Sequence, residues 1–164
     1  LIDYLDSGNY WGIDISSENI ETGREFLAEW GVEEKRPHLS VNDDLKFEQL
    51  LGQEFDVVFA HSVFTHTPEA TIEECLVHLR KVLKPSGVLF ATYNEGSRRF
   101  YHRATGNFLY PLKFFESLCH EYGYSIAVDQ TLVHHQGQTM MMFRQSVPGF
   151  KPILAETTGI GRLV

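Results

Sequence analysis

The chain has 164 residues, of which 43% are hydrophobic and 22% are charged. This length and apolar fraction suit one globular domain with one core, and they exclude fibrous and low-complexity proteins. The net charge of −8 excludes the basic surface with which proteins wrap nucleic acid or lie on anionic lipid. We therefore expect neither nucleic acid nor a membrane as a partner.

Strands and helices alternate along most of the sequence. Ser16 is a suitable N-cap, and Gly8 and Gly123 suit helix ends because glycine readily adopts the left-handed conformation. Residues 55–60 form an almost continuous apolar run, which is typical of a strand buried within a parallel sheet. In chain order, the expected elements are the last helical turns over 1–7, a strand over 9–15, a helix over 17–30, a strand over 38–41, a brief helix over 47–51, a strand over 55–60, a helix over 68–83, a strand over 87–93, an irregular aromatic and basic stretch over 94–110, a helix over 112–122, and closing strands over 124–129 and 139–144.

This order predicts an α/β fold with a doubly wound, mostly parallel sheet. The last two strands have no helix between them, so the final strand is expected to run antiparallel. We expect a single domain over 1–145, followed by a tail over 146–164 that shows no clear periodicity.

Polar residues follow several of the predicted strands, at the sheet edge where doubly wound folds bind ligands. Asp14 ends the first strand, and its carboxylate can accept from both hydroxyls of a ribose. The alternative is that Asp14 only supports the start of the helix that begins near Ser17. Asp43 and Asp44 follow the second strand in the same way.

Two longer segments carry a family resemblance. "FDVVFAHSVFTH" over 55–66 is similar to the fourth strand and following loop of the class I S-adenosylmethionine-dependent methyltransferases. "LRKVLKPSGVLFAT" over 79–92 is similar to that family's next helix, Lys-Pro-Gly-Gly turn and fifth strand. The closing antiparallel hairpin also belongs to this Rossmann-like fold. The resemblance covers about residues 1–145.

The resemblance implies S-adenosylmethionine as the cofactor. Asp14 would hold the ribose hydroxyls and Ile15 would pack on the adenine. Asp43, or less favourably Asp44, would accept from the adenine amino group. The residues beside the methionine part would be Ala60, His61 and Ser62.

The sequence departs from the family at its beginning. The family's glycine-rich loop follows the first strand, whereas no Gly-x-Gly precedes Asp14 in this chain. We expect from this pattern that the first strand and its glycine-rich loop are missing and that the methyltransferase domain is incomplete at its amino terminus.

The loop after the third predicted strand limits the chemistry. It lacks the Pro-Pro pair of DNA-adenine enzymes, the Cys nucleophile of cytosine enzymes and the acidic metal ligands of catechol enzymes, so no metal site is expected. Direct transfer to an oxygen or nitrogen of a small-molecule acceptor remains. His66 is the candidate general base, because a neutral imidazole is poised near pH 7. The alternatives are that His66 caps the next helix or satisfies a loop carbonyl, and that His61 is a pocket wall.

Arginines cluster in the stretch after the fourth long strand. Arg98, Arg99 and Arg103 are interleaved with aromatic residues, and Tyr93 ends the preceding strand. Arginine suits carboxylate or phosphate groups, so the sequence indicates an acceptor site for a small molecule and makes an anionic molecule one option. The alternatives are a solvated loop and a contact to the missing N-terminal segment.

Three classes of function remain open on these residues. The first is a small-molecule methyltransferase, the second is a catalytically inert methyltransferase-like binding or assembly module, and the third is a fragment of a nicotinamide dehydrogenase. The closing hairpin and the lack of a Tyr-x-x-x-Lys motif disfavour the third. Cys75 and Cys119 form no CxxC motif, which indicates a reducing, cytoplasmic compartment. The oligomeric state is left open.

Overall fold

The computed structural model describes residues 2–129 and 137–146. The chain divides into two compact units, Leu1–Gln49 and Leu50–Val164. The expected tail lies outside the described residues except for Ser146. Within the described ranges, no helix combines the length and the apolar character needed to span a bilayer.

The first unit is built on a pair of parallel strands. Trp11 lies opposite His38 and Asp14 lies opposite Val41. Gly12 lets the two strands pack closely, because a Cβ atom at this position would lie 2.7 Å from a methyl group of Leu39 and that side chain would have to shift. The elements are a 3₁₀ turn Ile2–Tyr4, β1 (Trp11–Asp14), α1 (Ser17–Glu29), a 3₁₀ turn Glu33–Lys35 and β2 (His38–Val41), and a 3₁₀ turn Glu48–Leu50 spans the boundary with the second unit.

The second unit is built on a mixed sheet. Its elements are β3 (Phe55–Ala60), α2 (Glu69–Leu79), β4 (Leu83–Glu95), β5 (Phe100–His102), β6 (Asn107–Tyr110), α3 (Leu112–Tyr122), β7 (Tyr124–Asp129) and β8 (Thr139–Gln145). β4 pairs in parallel with β3 and β6, and antiparallel with β8, which in turn pairs antiparallel with β7. The expected α/β fold with an antiparallel closing strand is confirmed.

Aromatic rings fill the core of the second unit. Phe115 of α3 lies 6.2 Å from Phe64, 6.3 Å from Phe143 and 5.0 Å from Tyr93, measured between ring centroids. All four side chains are completely buried. Burying rings of this size dominates the hydrophobic stabilisation, and the helix therefore holds the carboxyl end of β4 in place.

Several predicted boundaries are wrong. β4 begins at Leu83 and not at 87, because Leu83 already pairs with Phe55. The next pair joins Val57 to Val88, so the residues of β4 between Leu83 and Val88 form a bulge. α2 correspondingly ends at Leu79. The stretch expected to be irregular contains the β5–β6 hairpin.

The strand over 55–60 is also less buried than its apolar run predicts. Val57 and Phe59 are 55% and 54% exposed. These two side chains point to the same face, because strand residues alternate. Among the described residues, β3 has only β4 as a strand neighbour, and nothing covers that face fully.

Candidate functional site

In the first unit, the carboxyl ends of β1 and β2 lie side by side. The ladder continues one residue past the strands, where the Asn42 N–H donates to the carbonyl oxygen of Asp14 at 2.9 Å. Asp14 ends β1 and Asp43 lies two residues after the end of β2, so both lie at the same edge of this parallel pair.

Only one of the two oxygens of the Asp14 carboxylate accepts hydrogen bonds from the described residues. Its Oδ1 atom accepts from the backbone N–H of Ser16 at 2.8 Å and from Asn19 Nδ2 at 3.2 Å. Ser16 in turn caps α1 by accepting from the Asn19 N–H at 3.2 Å. The Oδ2 atom makes no hydrogen bond to the described residues. Asp14 thus supports the helix start through Oδ1, as the alternative interpretation has it.

The other candidate residues of the first unit differ in their exposure and in their hydrogen bonds. Ile15 is 72% exposed, although it is a large apolar side chain. Asp44 closes a local turn by accepting from the Lys46 N–H at 2.9 Å. Asp43 is exposed and makes no contact of this kind with the described residues, which leaves its carboxylate available.

In the second unit, the chain turns sharply after β3. Ser62 has a φ of 57°, in the left-handed region that a residue with a Cβ atom rarely adopts outside strained or functional sites. Two contacts hold this conformation: the Ser62 N–H donates to Thr92 Oγ1 at 2.7 Å, and the Ser62 hydroxyl lies 3.0 Å from Nε2 and 3.1 Å from Oε1 of Gln138. The residues before this turn belong to the parallel ladder between β3 and β4, in which Ala60 lies opposite Ala91.

The two candidate histidines are both exposed. His61 stacks on Phe59 with ring centroids 5.8 Å apart, and its Nδ1 lies 3.5 Å from the Ser62 hydroxyl. His66 Nδ1 lies 3.3 Å from the carbonyl oxygen of Gly106. A carbonyl only accepts, so Nδ1 carries the proton and Nε2 of the neutral ring has a free electron pair. His66 therefore satisfies a loop carbonyl, which is one of the alternatives that the sequence left open.

The three arginines differ in the contacts that they make. Arg99 pairs with Glu69 at 2.6 Å and lies 5.1 Å from the centre of the Phe114 ring. Arg98 lies 6.0 Å from the centre of the Phe100 ring. Arg103, near the tip of the β5–β6 hairpin, makes no ion pair with the described residues. Arg99 therefore already has a carboxylate partner.

A cleft of about 220 Å³ lies where the carboxyl ends of β4 and β7 meet the start of β8. Of the site residues predicted from the sequence, Tyr93 alone lines it within the described part of the chain. The lining residues are Tyr93, Glu95, Leu112, Val128, Asp129, Gln138 and Thr139.

Two polar residues of this region were not predicted from the sequence. Thr92 is 1% exposed and Gln138 is 6% exposed, and both hold Ser62 from distant parts of the chain. Thr92 could have been singled out from the sequence, because it is a polar residue near the end of an apolar strand. Gln138 carries no signal, because its contact spans 76 residues in sequence.

Solved structures share the fold of this chain. A glycopeptide N-methyltransferase, solved with S-adenosyl-L-methionine, superposes with a TM-score of 0.67 at 12% identity over 85% of this chain and 73% of that protein. Magnesium protoporphyrin IX methyltransferase from Synechocystis, also solved with S-adenosylmethionine, gives a TM-score of 0.62 at 18% identity over 83% of this chain and 59% of that protein. At these identities the likeness concerns the fold alone.

The sequence comparisons add a relative and a family. Protein RP028 of Rickettsia prowazekii is 28% identical over 83 residues, which are 51% of this chain and 32% of that protein. The chain thus matches about a third of the length of this curated relative. The model of the methyltransferase domain family matches residues 1–89, more than half of the chain, and the chain belongs to that family.

Proposed function

We propose that this chain contributes to S-adenosylmethionine-dependent methyl transfer to an oxygen or nitrogen of a small molecule. The observation that carries the proposal is the pair of available carboxylates, Asp14 and Asp43, at adjacent parallel strand ends in a chain of the methyltransferase family. Carboxylates in this position suit a ribose and an adenine amino group, because both ligand groups donate hydrogen bonds.

The residues of the first unit fit the adenosine part of the cofactor. Asp14 Oδ2 would accept from the ribose hydroxyls while Oδ1 remains on the start of α1. The exposed side chain of Ile15 would lose unfavourable contact with water by packing on the adenine ring. Asp43 suits the amino group better than Asp44, whose carboxylate is occupied by its own turn.

In the second unit, Ala60, His61 and Ser62 would contact the methionine part. Ser62 offers a hydroxyl whose direction is fixed by Gln138. When bound, the cofactor supplies an electrophilic sulfonium methyl group, which an acceptor lone pair takes while the electrons of the carbon–sulfur bond remain on sulfur. The protein's main contribution is then alignment.

His66 would remove the proton from an acceptor that carries one. Its Nε2 atom has a free electron pair because Nδ1 donates to Gly106. The same hydrogen bond fixes the ring orientation, which a general base requires. Arg98 and Arg103 are the cations that remain for an anionic part of the acceptor, since Arg99 is paired with Glu69.

The proposal places the protein in a reducing, cytoplasmic compartment without nucleic acid or membrane partners. The support is that Cys75 and Cys119 are buried thiols without a disulfide. Burial raises the pKa of each to about 12, which keeps them protonated and unreactive.

A labelling experiment tests the function and does not require the acceptor to be identified beforehand. The full-length protein is incubated with S-adenosylmethionine carrying a deuterated methyl group and with a fractionated small-molecule extract, and mass spectrometry searches for labelled compounds. We expect at least one compound that acquires the label with wild type and acquires less of it with Asp14→Asn at the same, sub-saturating cofactor concentration. Cofactor binding without any labelled compound would instead identify a catalytically inert binding module.

A further inference from the structure

The β5–β6 hairpin is hydrogen-bonded to the loop that follows β3. The carbonyl oxygen of Thr65 accepts from the Phe108 N–H at 2.8 Å. The carbonyl oxygen of Thr67 accepts from the Tyr110 hydroxyl, also at 2.8 Å. Both distances are those of well-formed hydrogen bonds. The hairpin therefore holds the residue on each side of His66.

A third contact is made by the His66 ring itself. Its Nδ1 atom lies 3.3 Å from the carbonyl oxygen of Gly106, to which it can only donate. Gly106 directly precedes β6, and Phe108 and Tyr110 belong to it. All three contacts therefore come from one short segment of the hairpin, 106–110, and they fall on three consecutive residues of the loop.

The loop is also held together by its own side chains. The Thr65 hydroxyl donates to the carbonyl oxygen of Ser62 at 2.9 Å, and the Thr67 hydroxyl donates to that of Val63 at 2.7 Å. Thr65 and Thr67 are buried, whereas His66 between them is exposed. The imidazole is thus the side chain of these three that a ligand can reach.

Tyr110 is itself held firmly. It is 1% exposed, and its ring stacks on Phe114 with centroids 4.8 Å apart and on Phe108 with centroids 6.0 Å apart. Burial and, after it, the charge of Glu69 raise the pKa of Tyr110 to about 12. The phenol therefore keeps the proton that it donates to Thr67.

We propose that the β5–β6 hairpin orients the base of the methyl-transfer site and that Tyr110 is a positioning residue that acts through His66. The Tyr110 hydroxyl holds the backbone next to the imidazole, while the Gly106 carbonyl determines which ring nitrogen carries the proton. A general base has to be aimed at the proton that it removes, so a fixed ring increases the rate. The inference rests on the proposed function, because it concerns the orientation of its base.

The orientation is tested by NMR on the ¹⁵N-labelled full-length protein at about pH 8.5, where neutral imidazole predominates. Proton–nitrogen correlations within the ring show which nitrogen is protonated, and the spectrum of His66→Asn identifies the His66 signals. We expect the Nδ1–H form in wild type. Tyr110→Phe removes the hydroxyl and keeps the packed ring, so it should shift His66 towards a mixture with the Nε2–H form.

Tyr124→Phe is the matched control. The Tyr124 hydroxyl also donates to a backbone carbonyl oxygen, that of Leu76, at 2.8 Å, and Tyr124 is also buried. This variant removes the same kind of hydrogen bond, but the carbonyl lies on α2 and not in the loop after β3. Its melting temperature should fall about as much as that of Tyr110→Phe, while the His66 signals stay as in wild type.

A rate measurement separates positioning from a merely structural role. It uses the deuterated-methyl assay at saturating cofactor with the compound that wild type labels. Tyr110→Phe should label it about tenfold more slowly with the Kd for S-adenosylmethionine unchanged, and Tyr124→Phe should label it at the wild-type rate. The double variant His66→Asn/Tyr110→Phe should be no slower than His66→Asn, because a residue that acts through the base has no effect once the base is absent.

Three results overturn the proposal. The first is a wild-type His66 that carries its proton mainly on Nε2, and the second is Tyr110→Phe and Tyr124→Phe giving the same His66 signals. The third is a double variant about tenfold slower than His66→Asn, which would make the two effects independent. If wild type labels no compound, the proposed function fails, and the His66 spectra then decide by themselves whether the hairpin fixes the ring.

Discussion

Replacing Asp14 with asparagine separates the two roles of this carboxylate. In Asp14→Asn the Oδ1 atom can still accept from Ser16 and Asn19, at the 2.8 and 3.2 Å contacts of the native helix start. Only the charge and the free Oδ2 acceptor are lost. The loss of a negative charge beside the N-terminus of α1 should lower the free energy of unfolding by about 0.3–1 kcal/mol.

The effect on cofactor binding should be larger. Hydrogen bonds from ribose hydroxyls to an ionised carboxylate contribute about 1–3 kcal/mol, so the affinity for S-adenosylmethionine should fall roughly 5- to 150-fold. Isothermal titration calorimetry on the full-length variant measures this directly, and a thermal melt on the same sample measures stability.

Asn19→Ala is the matched control for this experiment. It removes the Asn19 contact to Asp14 Oδ1 and should cost about 0.5–1.5 kcal/mol of stability while leaving the cofactor affinity unchanged. The reasoning is refuted if Asp14→Asn binds the cofactor like wild type, or if Asn19→Ala loses as much affinity as Asp14→Asn. In either case Asp14 would be a helix-start residue only.

Three further predictions concern the second unit. His66→Asn can still donate to Gly106 but has no base, so we expect kcat to fall about 100-fold with the cofactor Kd unchanged; a kcat near that of wild type would exclude a base at this position. Thr92→Val leaves the Ser62 N–H without its 2.7 Å acceptor and should lower the free energy of unfolding by about 1–3 kcal/mol, and an unaltered urea denaturation midpoint would contradict this. Burial raises the pKa of Cys75 from 9.0 to about 12, so the folded state retains a proton that the unfolded state loses, and stability should fall as the pH rises from 9 towards 12. Cys75→Ala should flatten this fall in melts recorded across that pH range, whereas an equally steep fall would show that other groups cause it.

Local signals were sufficient to predict most elements. Ser16 caps α1 and Gly123 ends α3 with a φ of 69°, because capping depends on residues close in sequence. The alternation of strands with helices likewise predicted parallel pairing, and the missing helix between the last two strands predicted the closing hairpin. These features follow from short stretches of sequence and from their order along the chain.

Features that depend on distant partners could not be predicted. The burial of 55–60 was overestimated, since the exposure of Val57 and Phe59 depends on what covers one face of β3. The β5–β6 hairpin was missed because its aromatic residues do not alternate with polar ones in a simple period.

The candidate site was predicted in the same uneven way. The sequence places Asp14 and Asp43 at the ends of adjacent strands, because strand ends meet at one sheet edge, and their contact with the cofactor stays a prediction. The bond from Gln138 to Ser62 and the pairing of Arg99 with Glu69 join residues far apart in sequence, so neither could be inferred from spacing. The second of these contacts weakens the expectation of an arginine-based anion site.

The most direct test of the account is a pair of calorimetric titrations of the full-length protein, one with S-adenosylmethionine and one with NADH. Both ligands present a ribose and an adenine, so a carboxylate at a strand end could bind either of them and does not by itself determine which one is the cofactor. We predict one-to-one binding of S-adenosylmethionine with a micromolar Kd and no measurable heat with NADH. A cooperatively folded protein that binds NADH, or that binds neither ligand, would contradict it.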